Sequence, residues 1–293
     1  MRPIPTAQVA GVHHRRVGEL IVTTLSDGFV DPPTEAVEVI TPAEAEAMIL
    51  AGTGRPKPRI SVNMFALRWP DRTVLVDAGS GTMMGPTCGR MPDNMAAAGI
   101  RPEEVGTILL THVHPDHSGG ITSDAGAALF PNADIVVHEA EIAHWFDDAR
   151  MSAATERQRV RYFEGGRFRL RPYDGRIRTI RDGDEVLPGI TALLCDGHTP
   201  GHCAYRIRSG TEEILIWGDT VHVPEIQVPR PDVYMMYDFD GPKAAASRAA
   251  VLALAERDDL LIGGMHLHFP GLGRVTARDG TYQILMEPWT YTL

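Results

Sequence analysis

Between residues 111 and 120 the chain reads Thr-His-Val-His-Pro-Asp-His-Ser-Gly-Gly, directly after the apolar run Thr107–Leu110. Four side chains able to bind metal, His112, His114, Asp116 and His117, thus fall at the end of an expected strand, where a loop displays polar groups on a rigid scaffold. In an extended segment alternate side chains point the same way, so His112 and His114 share a face and both imidazoles reach one ion. Pro115 turns the chain and redirects Asp116 and His117 toward a neighbouring position. Imidazoles and a carboxylate crowded in this way repel or go unpaired without a cation between them. The segment is therefore read as metal-binding.

The rest of the chain supplies a layered scaffold. Short apolar runs rich in β-branched residues, separated by Gly, Pro and Asp, predict strands at Leu20–Leu25, Val62–Leu67, Thr73–Val76, Thr107–Leu110, Ile135–Val137, Ile190–Leu194, Ile214–Trp217 and Leu260–Ile262. Thr41-Pro42-Ala43-Glu44 carries an N-cap Thr, a Pro at the first helical position and a Glu three residues after the cap, which opens a helix through about Leu50. Further helices are expected over Met91 to Ala98 and Pro242 to about Arg257. In the last of these, Ala245, Ala249 and Leu252 are expected to form the face packed against a sheet. With 43% hydrophobic residues and no polar linker or repeat, the 293 residues are read as one α/β domain, 1–293.

Composition narrows the partners. A formal net charge of -10 repels phosphate backbones, so a nucleic-acid partner is disfavoured. No apolar run reaches the roughly 18 residues that span a bilayer, and residues 1–19 lack a signal-peptide core, so no membrane partner and a cytoplasmic location are expected. Cys88, Cys195 and Cys203 form no CxxC pair and are read as buried, reduced thiols.

The motif His112-x-His114-x-Asp116-His117 resembles the signature of the metallo-β-lactamase superfamily, and the likeness extends along nearly the whole chain. Asp77 in Leu75-Val76-Asp77-Ala78-Gly79 is similar to the family's early aspartate, which braces the histidine loop. Gly197-His198-Thr199-Pro200-Gly201-His202 resembles its third motif, Trp217-Gly218-Asp219-Thr220 its bridging aspartate, and Met265-His266 its last ligand. The resemblance implies an αββα sandwich, with two mixed β-sheets flanked by helices. It also implies two divalent metal ions, expected to be zinc. His112, His114 and His198 hold the first, Asp116, His117 and His266 the second, and Asp219 lies between them. His202 would orient its loop rather than bind metal, and His222 and His268 stand close to ligands without an assigned role.

Two such ions lower the pKa of a bridging water toward about 7, which makes a hydroxide the expected nucleophile and Asp116 the catalytic residue that orients it. No GxSxG elbow or catalytic cysteine setting competes with it. Val17-Gly18-Glu19 with Thr24-Leu25-Ser26-Asp27-Gly28, Phe130-Pro131-Asn132-Ala133 with Val137-His138-Glu139-Ala140-Glu141, Gly218-Asp219-Thr220-Val221-His222 and Phe269-Pro270-Gly271-Leu272-Gly273 resemble the branch of methyl parathion hydrolases and N-acyl-homoserine lactonases. That branch implies a small-molecule lactone or organophosphate ester as substrate, a quorum-quenching role, and a homodimer on which the sequence itself is silent. Some of Phe65, Trp145, Phe146, Tyr234 and Phe269 are expected to wall the pocket, and the others to pack in the core. A glyoxalase II-like thioester hydrolase is the alternative enzyme, and a metal-binding sensor or scaffold the alternative without catalysis.

Overall fold

The structure, a computed structural model, describes residues 4–293. Fourteen strands among them form two seven-stranded sheets, each assembled from one continuous half of the chain in sequence order. The first sheet holds β1 (Val12–Val17), β2 (Leu20–Val30), β3 (Ile60–Trp69), β4 (Arg72–Val76), β5 (Val105–Leu109), β6 (Asp134–His138) and β7 (Ile177–Ile180). The second holds β8 (Glu185–Leu187), β9 (Ile190–Leu194), β10 (Cys203–Ser209), β11 (Glu212–Ile216), β12 (Leu261–Gly263), β13 (Leu272–Arg278) and β14 (Thr281–Met286). Pairing is antiparallel from β1 to β4 and parallel from β4 to β7. In the second sheet only β11 and β12 pair in parallel.

Period-two alternation dictates the layering. On β3, β4 and β11 the residues Phe65, Leu67, Val74, Val76, Ile214 and Ile216 point into the layer between the sheets, where Tyr205 and Ile207 of β10 meet them. Their neighbours Met64, Ala66 and Leu75 face the opposite way, onto helix Met91–Ala97 and the helical segments after β6. Leu215 and Trp217 likewise pack outward with Val251, Leu252 and Ala255 of helix Gly241–Arg257. A helix, two sheets and a helix thus stack as an αββα sandwich. Each fully buried Val, Leu, Ile or Phe contributes roughly 1.5–3 kcal/mol, and a one-residue slip would turn this whole set outward. Register is therefore firmly fixed.

Helix Pro42–Thr53 begins as its sequence predicts, with Thr41 Oγ1 accepting the Glu44 N–H and Glu44 Oε2 accepting the Thr41 N–H at 2.8 Å. Helix Gly241–Arg257 departs from the expected face. Ala244, Arg248, Val251, Leu252 and Ala255 are buried, whereas Ala249 is exposed and Ala245 only half-buried. The cause is Arg248, whose guanidinium donates to the carbonyls of Thr220, Pro231 and Val233 at 2.6–2.9 Å. A buried arginine with its donors satisfied takes the central position that the alanine pattern suggested for small residues.

Candidate metal centre

The parallel strands β4, β5, β11 and β12 end at the same edge of the sandwich, and the segments that leave them bring the polar residues together. Asp77 ends β4 with a left-handed backbone, φ 60°. Its Oδ1 accepts the Thr111 N–H at 2.8 Å, and its Oδ2 accepts the Thr111 hydroxyl at 2.8 Å and the His117 Nδ1–H at 2.7 Å. Asp77 thus ties the start of the histidine loop to His117 at its end. Gly218, after β11, has φ 56°, and a Cβ there would lie 2.4 Å from His202 Nε2 and 2.9 Å from Thr111 Cβ. Only glycine permits that approach.

Two groups of side chains converge. His112, His114, His198 and Asp219 place one ligand atom each within 4.8 Å of one another, as do Asp116, His117 and His266. His198 Nε2 lies 3.0 Å from His114 Nδ1 and 3.2 Å from His112 Nε2. Asp219 turns one oxygen to each group. Its Oδ2 is 3.1 Å from His198 Nε2, and its Oδ1 is 3.0 Å from His117 Nε2 and 3.1 Å from His266 Nε2. Ligand atoms about 2.0–2.1 Å from a tetrahedral ion stand about 3.3 Å apart, close to these separations.

The outer hydrogen bonds show what these nitrogens present. Carbonyls and carboxylates only accept, so the ring nitrogens that face them carry the proton. His198 Nδ1–H donates to Asp238 Oδ1 at 2.6 Å, His117 Nδ1–H to Asp77, and His266 Nδ1–H to the Ser61 carbonyl at 2.8 Å. Each Nε2 then directs a lone pair inward at the oxygens of Asp219. His117 Nε2 and Asp219 Oδ1 are buried without a hydrogen-bond partner among the described residues. Lone pairs and carboxylate oxygens this close require a cation, and the donor set fits divalent metal ions.

Electrostatics agree. Burial holds His112 and His114 well below the usual imidazole range, in the neutral form that a ligand needs. Burial also works to lower His117, His198 and His266, but nearby carboxylates outweigh it. Asp219 acts on all three, with Asp116 and Asp77 on His117 and Asp238 on His198. They are raised, His198 to about 9. Positive charge is wanted at this spot, and a divalent ion supplies it while leaving every imidazole neutral.

His202 is placed differently from the seven converging residues. Burial pushes it down to about 3, its Nδ1–H donates to the Cys195 carbonyl at 2.9 Å, and its Nε2 accepts the Asp219 N–H at 2.8 Å. Neither nitrogen is left for an ion. His222 enters the cluster, with Nε2 3.1 Å from Asp219 Oδ2 and its ring stacked 5.2 Å from that of His266. His268 lies farther out, hydrogen-bonded to Glu225 Oε1 at 2.6 Å.

The candidate wall is only partly as expected. Trp145 stands 5.8 Å, centroid to centroid, from His114. Phe65 is buried between the sheets, Tyr234 packs against Gly241, and Phe146 and Phe269 are exposed. Two aromatics that the sequence did not flag take those places: Tyr162, 4.7 Å from His114, and Tyr237, 5.0 Å from His222. Tyr162 lies in a π-helical turn, Arg159–Glu164, an irregularity that no spacing rule anticipates. Asp238 went equally unflagged, because it lies 40 residues from its partner His198. All three cysteines are buried and free, as expected.

Fold and cluster together define an αββα protein with a histidine and aspartate metal centre at its strand ends. Residues 58–266 match the metallo-beta-lactamase superfamily, and the chain belongs to it. The crystal structure of a hydrolase named AbOPH, in the beta lactamase superfamily, superposes with a TM-score of 0.91 at 31% identity, over 97% of this chain and 100% of that one. AidC, a dizinc quorum-quenching lactonase in complex with a product, shares the fold with a TM-score of 0.89 at 24% identity, over 96% of this chain and 99% of its own. The N-acyl homoserine lactonase AiiB of Agrobacterium fabrum is 23% identical over 199 residues, 63% of this chain and 61% of that protein. The chain therefore spans about three fifths of the length of this curated relative.

Proposed function

We propose that the chain, acting as a single domain over 1–293, is a dinuclear metal-dependent hydrolase of neutral esters, with lactones such as N-acyl-homoserine lactones as the first substrate class and organophosphate esters as the second. The observation that carries this reading is the bidirectional placement of Asp219, one oxygen toward His112, His114 and His198 and the other toward His117 and His266. The superfamily and the lactonase relative support it from outside the site. Imidazole-rich ligation suits zinc.

Two divalent ions, when bound, supply the Lewis acidity that lowers the pKa of a water molecule toward about 7 and polarises an ester. His112, His114 and His198 would hold one, Asp116, His117 and His266 the other, and Asp219 both. Asp116 is the cluster carboxylate open to solvent, with 15% of its side chain exposed against 3% for Asp219. It would orient the attacking water and accept its proton on a carboxylate oxygen. Tyr162, Trp145 and Tyr237 form apolar walls that exclude bulk water and take an acyl or aryl group.

A panel of acyl-homoserine lactones, aliphatic lactones, paraoxon-like triesters, aryl esters and glutathione thioesters, assayed on zinc-loaded protein, tests the reading. Lactone turnover that disappears on chelation is expected. A preference for thioesters would favour the glyoxalase II-like alternative, and no turnover of any ester with two ions bound would sink the proposal in favour of a sensor or scaffold.

A further inference from the structure

A buried carboxylate outside the ligand set ties two of its loops together. Glu141 sits in the first turn of helix Glu139–Trp145 and is fully buried. Its Oε2 accepts the Val113 N–H at 2.9 Å and the Trp145 Nε1–H at 2.7 Å, and its Oε1 accepts the Gly201 N–H at 2.9 Å. Val113 stands between His112 and His114, and Gly201 three residues after His198. The contact is close: a Cβ on Gly201 would lie 2.6 Å from Glu141 N and 2.9 Å from Glu141 Cγ. A carboxylate this deep is tolerated only where donors satisfy it, and the two backbone donors belong to the loops that carry three imidazoles.

We infer that Glu141 is a positioning residue that sets the mutual geometry of His112, His114 and His198. In the extended segment around Val113, fixing one backbone N–H fixes both flanking imidazoles, which point away from it. Fixing Gly201 at the other oxygen of the same carboxylate sets where His198 meets them, at 3.0 and 3.2 Å. Pro115 separates Asp116 and His117 from this brace, and His117 and His266 have their own supports in Asp77 and the Ser61 carbonyl. Loss of Glu141 therefore weakens one ion and spares the other. This rests on the two-ion reading proposed above.

The test is Glu141→Gln, which keeps size and shape but replaces one acceptor by an NH₂ that faces an N–H donor. Metal-free full-length chain is titrated with zinc against a chromophoric chelator, and in parallel with cobalt followed by its visible absorption. One of the two zinc affinities is expected to fall roughly 10–100-fold, as is usual when an outer partner of a ligand is lost. The other should stay as in the wild type, and only one component of the cobalt spectrum should change. Two unchanged affinities overturn the inference, as does an equal fall in both accompanied by a lower Tm, the mark of a merely structural role. Should Glu141→Gln not fold, Gly201→Ala perturbs the same contact from the other loop and must give the same selective loss. A wild-type chain that takes up a single ion contradicts the two-ion reading, and the inference then stands or falls on whether Glu141→Gln weakens that ion.

Discussion

The two halves of the chain build the metal centre by opposite means. The N-terminal half concentrates four ligand candidates, His112, His114, Asp116 and His117, in one loop after β5, with Asp77 bracing Thr111 and His117. The C-terminal half spreads three over separate loops, each with its own support: His198 on Asp238, Asp219 on His202, and His266 on the Ser61 carbonyl. Loss of the shared Asp77 brace makes the concentrated arrangement fail as a unit, whereas the distributed one fails position by position. Substitutions should reveal that difference.

The largest effect is expected at the shared brace. Asp77→Ala strands three buried donors inside the first half, each costing about 1–3 kcal/mol when left unpaired, so a loss of at least about 3 kcal/mol is expected. Chemical denaturation should show a loss of that size, with both ions gone by elemental analysis; a variant that retains two ions would break the comparison. Next comes Asp219→Ala, which deletes the one group facing both ion positions. It should lower the bound metal to one equivalent or fewer and abolish chelator-sensitive hydrolysis.

Smaller and more local effects are expected in the second half. His198→Ala should leave one ion bound, whereas His202→Ala should keep both at saturating metal, each held roughly 10–100-fold more weakly as the Asp219 loop loses its anchor. The reverse pattern would exchange the two roles. The smallest effect concerns Glu213, on β11 opposite Arg208 of β10. Burial alone would raise its carboxyl, but Arg206 and Arg208 outweigh it and hold it below the usual value. A depressed folded pKa contributes stability above the unfolded value, about 4.3, and that contribution disappears as pH falls through the folded value. Glu213→Gln should therefore cost about 0.5–1 kcal/mol at pH 7. Thermal melts from pH 7 to pH 3 should show the gap to the wild type closing; a gap that widens on acidification would refute the assignment.

How much of this was legible in sequence follows the same division. The concentrated half could be read directly, because strand alternation and a Pro turn act over six residues. The eight expected strands all fall on or within one residue of observed ones, since continuous apolar runs mark buried strands well. Strands without a continuous buried run escaped: β1 reads Val-His-His-Arg-Arg-Val, β14 is largely exposed, and β10 and β13 interrupt their apolar residues with Arg and Thr. In the distributed half His198, Asp219 and His266 became visible through family resemblance, not spacing. Asp238 and Arg248 act through contacts 15 to 40 positions away, and Glu141, though inside a segment with family resemblance, pairs with residues 28 and 60 positions away; no local pattern encodes such pairings.

Each sheet comes from one continuous half of the chain, and residues 181–184 are all that separates β7 from β8. The proposed ions therefore sit on a seam, with ligands from both sides of it. An ion that binds only the closed seam stabilises the docked halves by its own binding free energy. Metal affinity and the cohesion of the two halves are then one quantity approached from two directions. Withdrawing metal should raise the frequency with which the seam opens, and amide hydrogen exchange should record that first along residues 111–118 and 217–222, before either sheet loses protection.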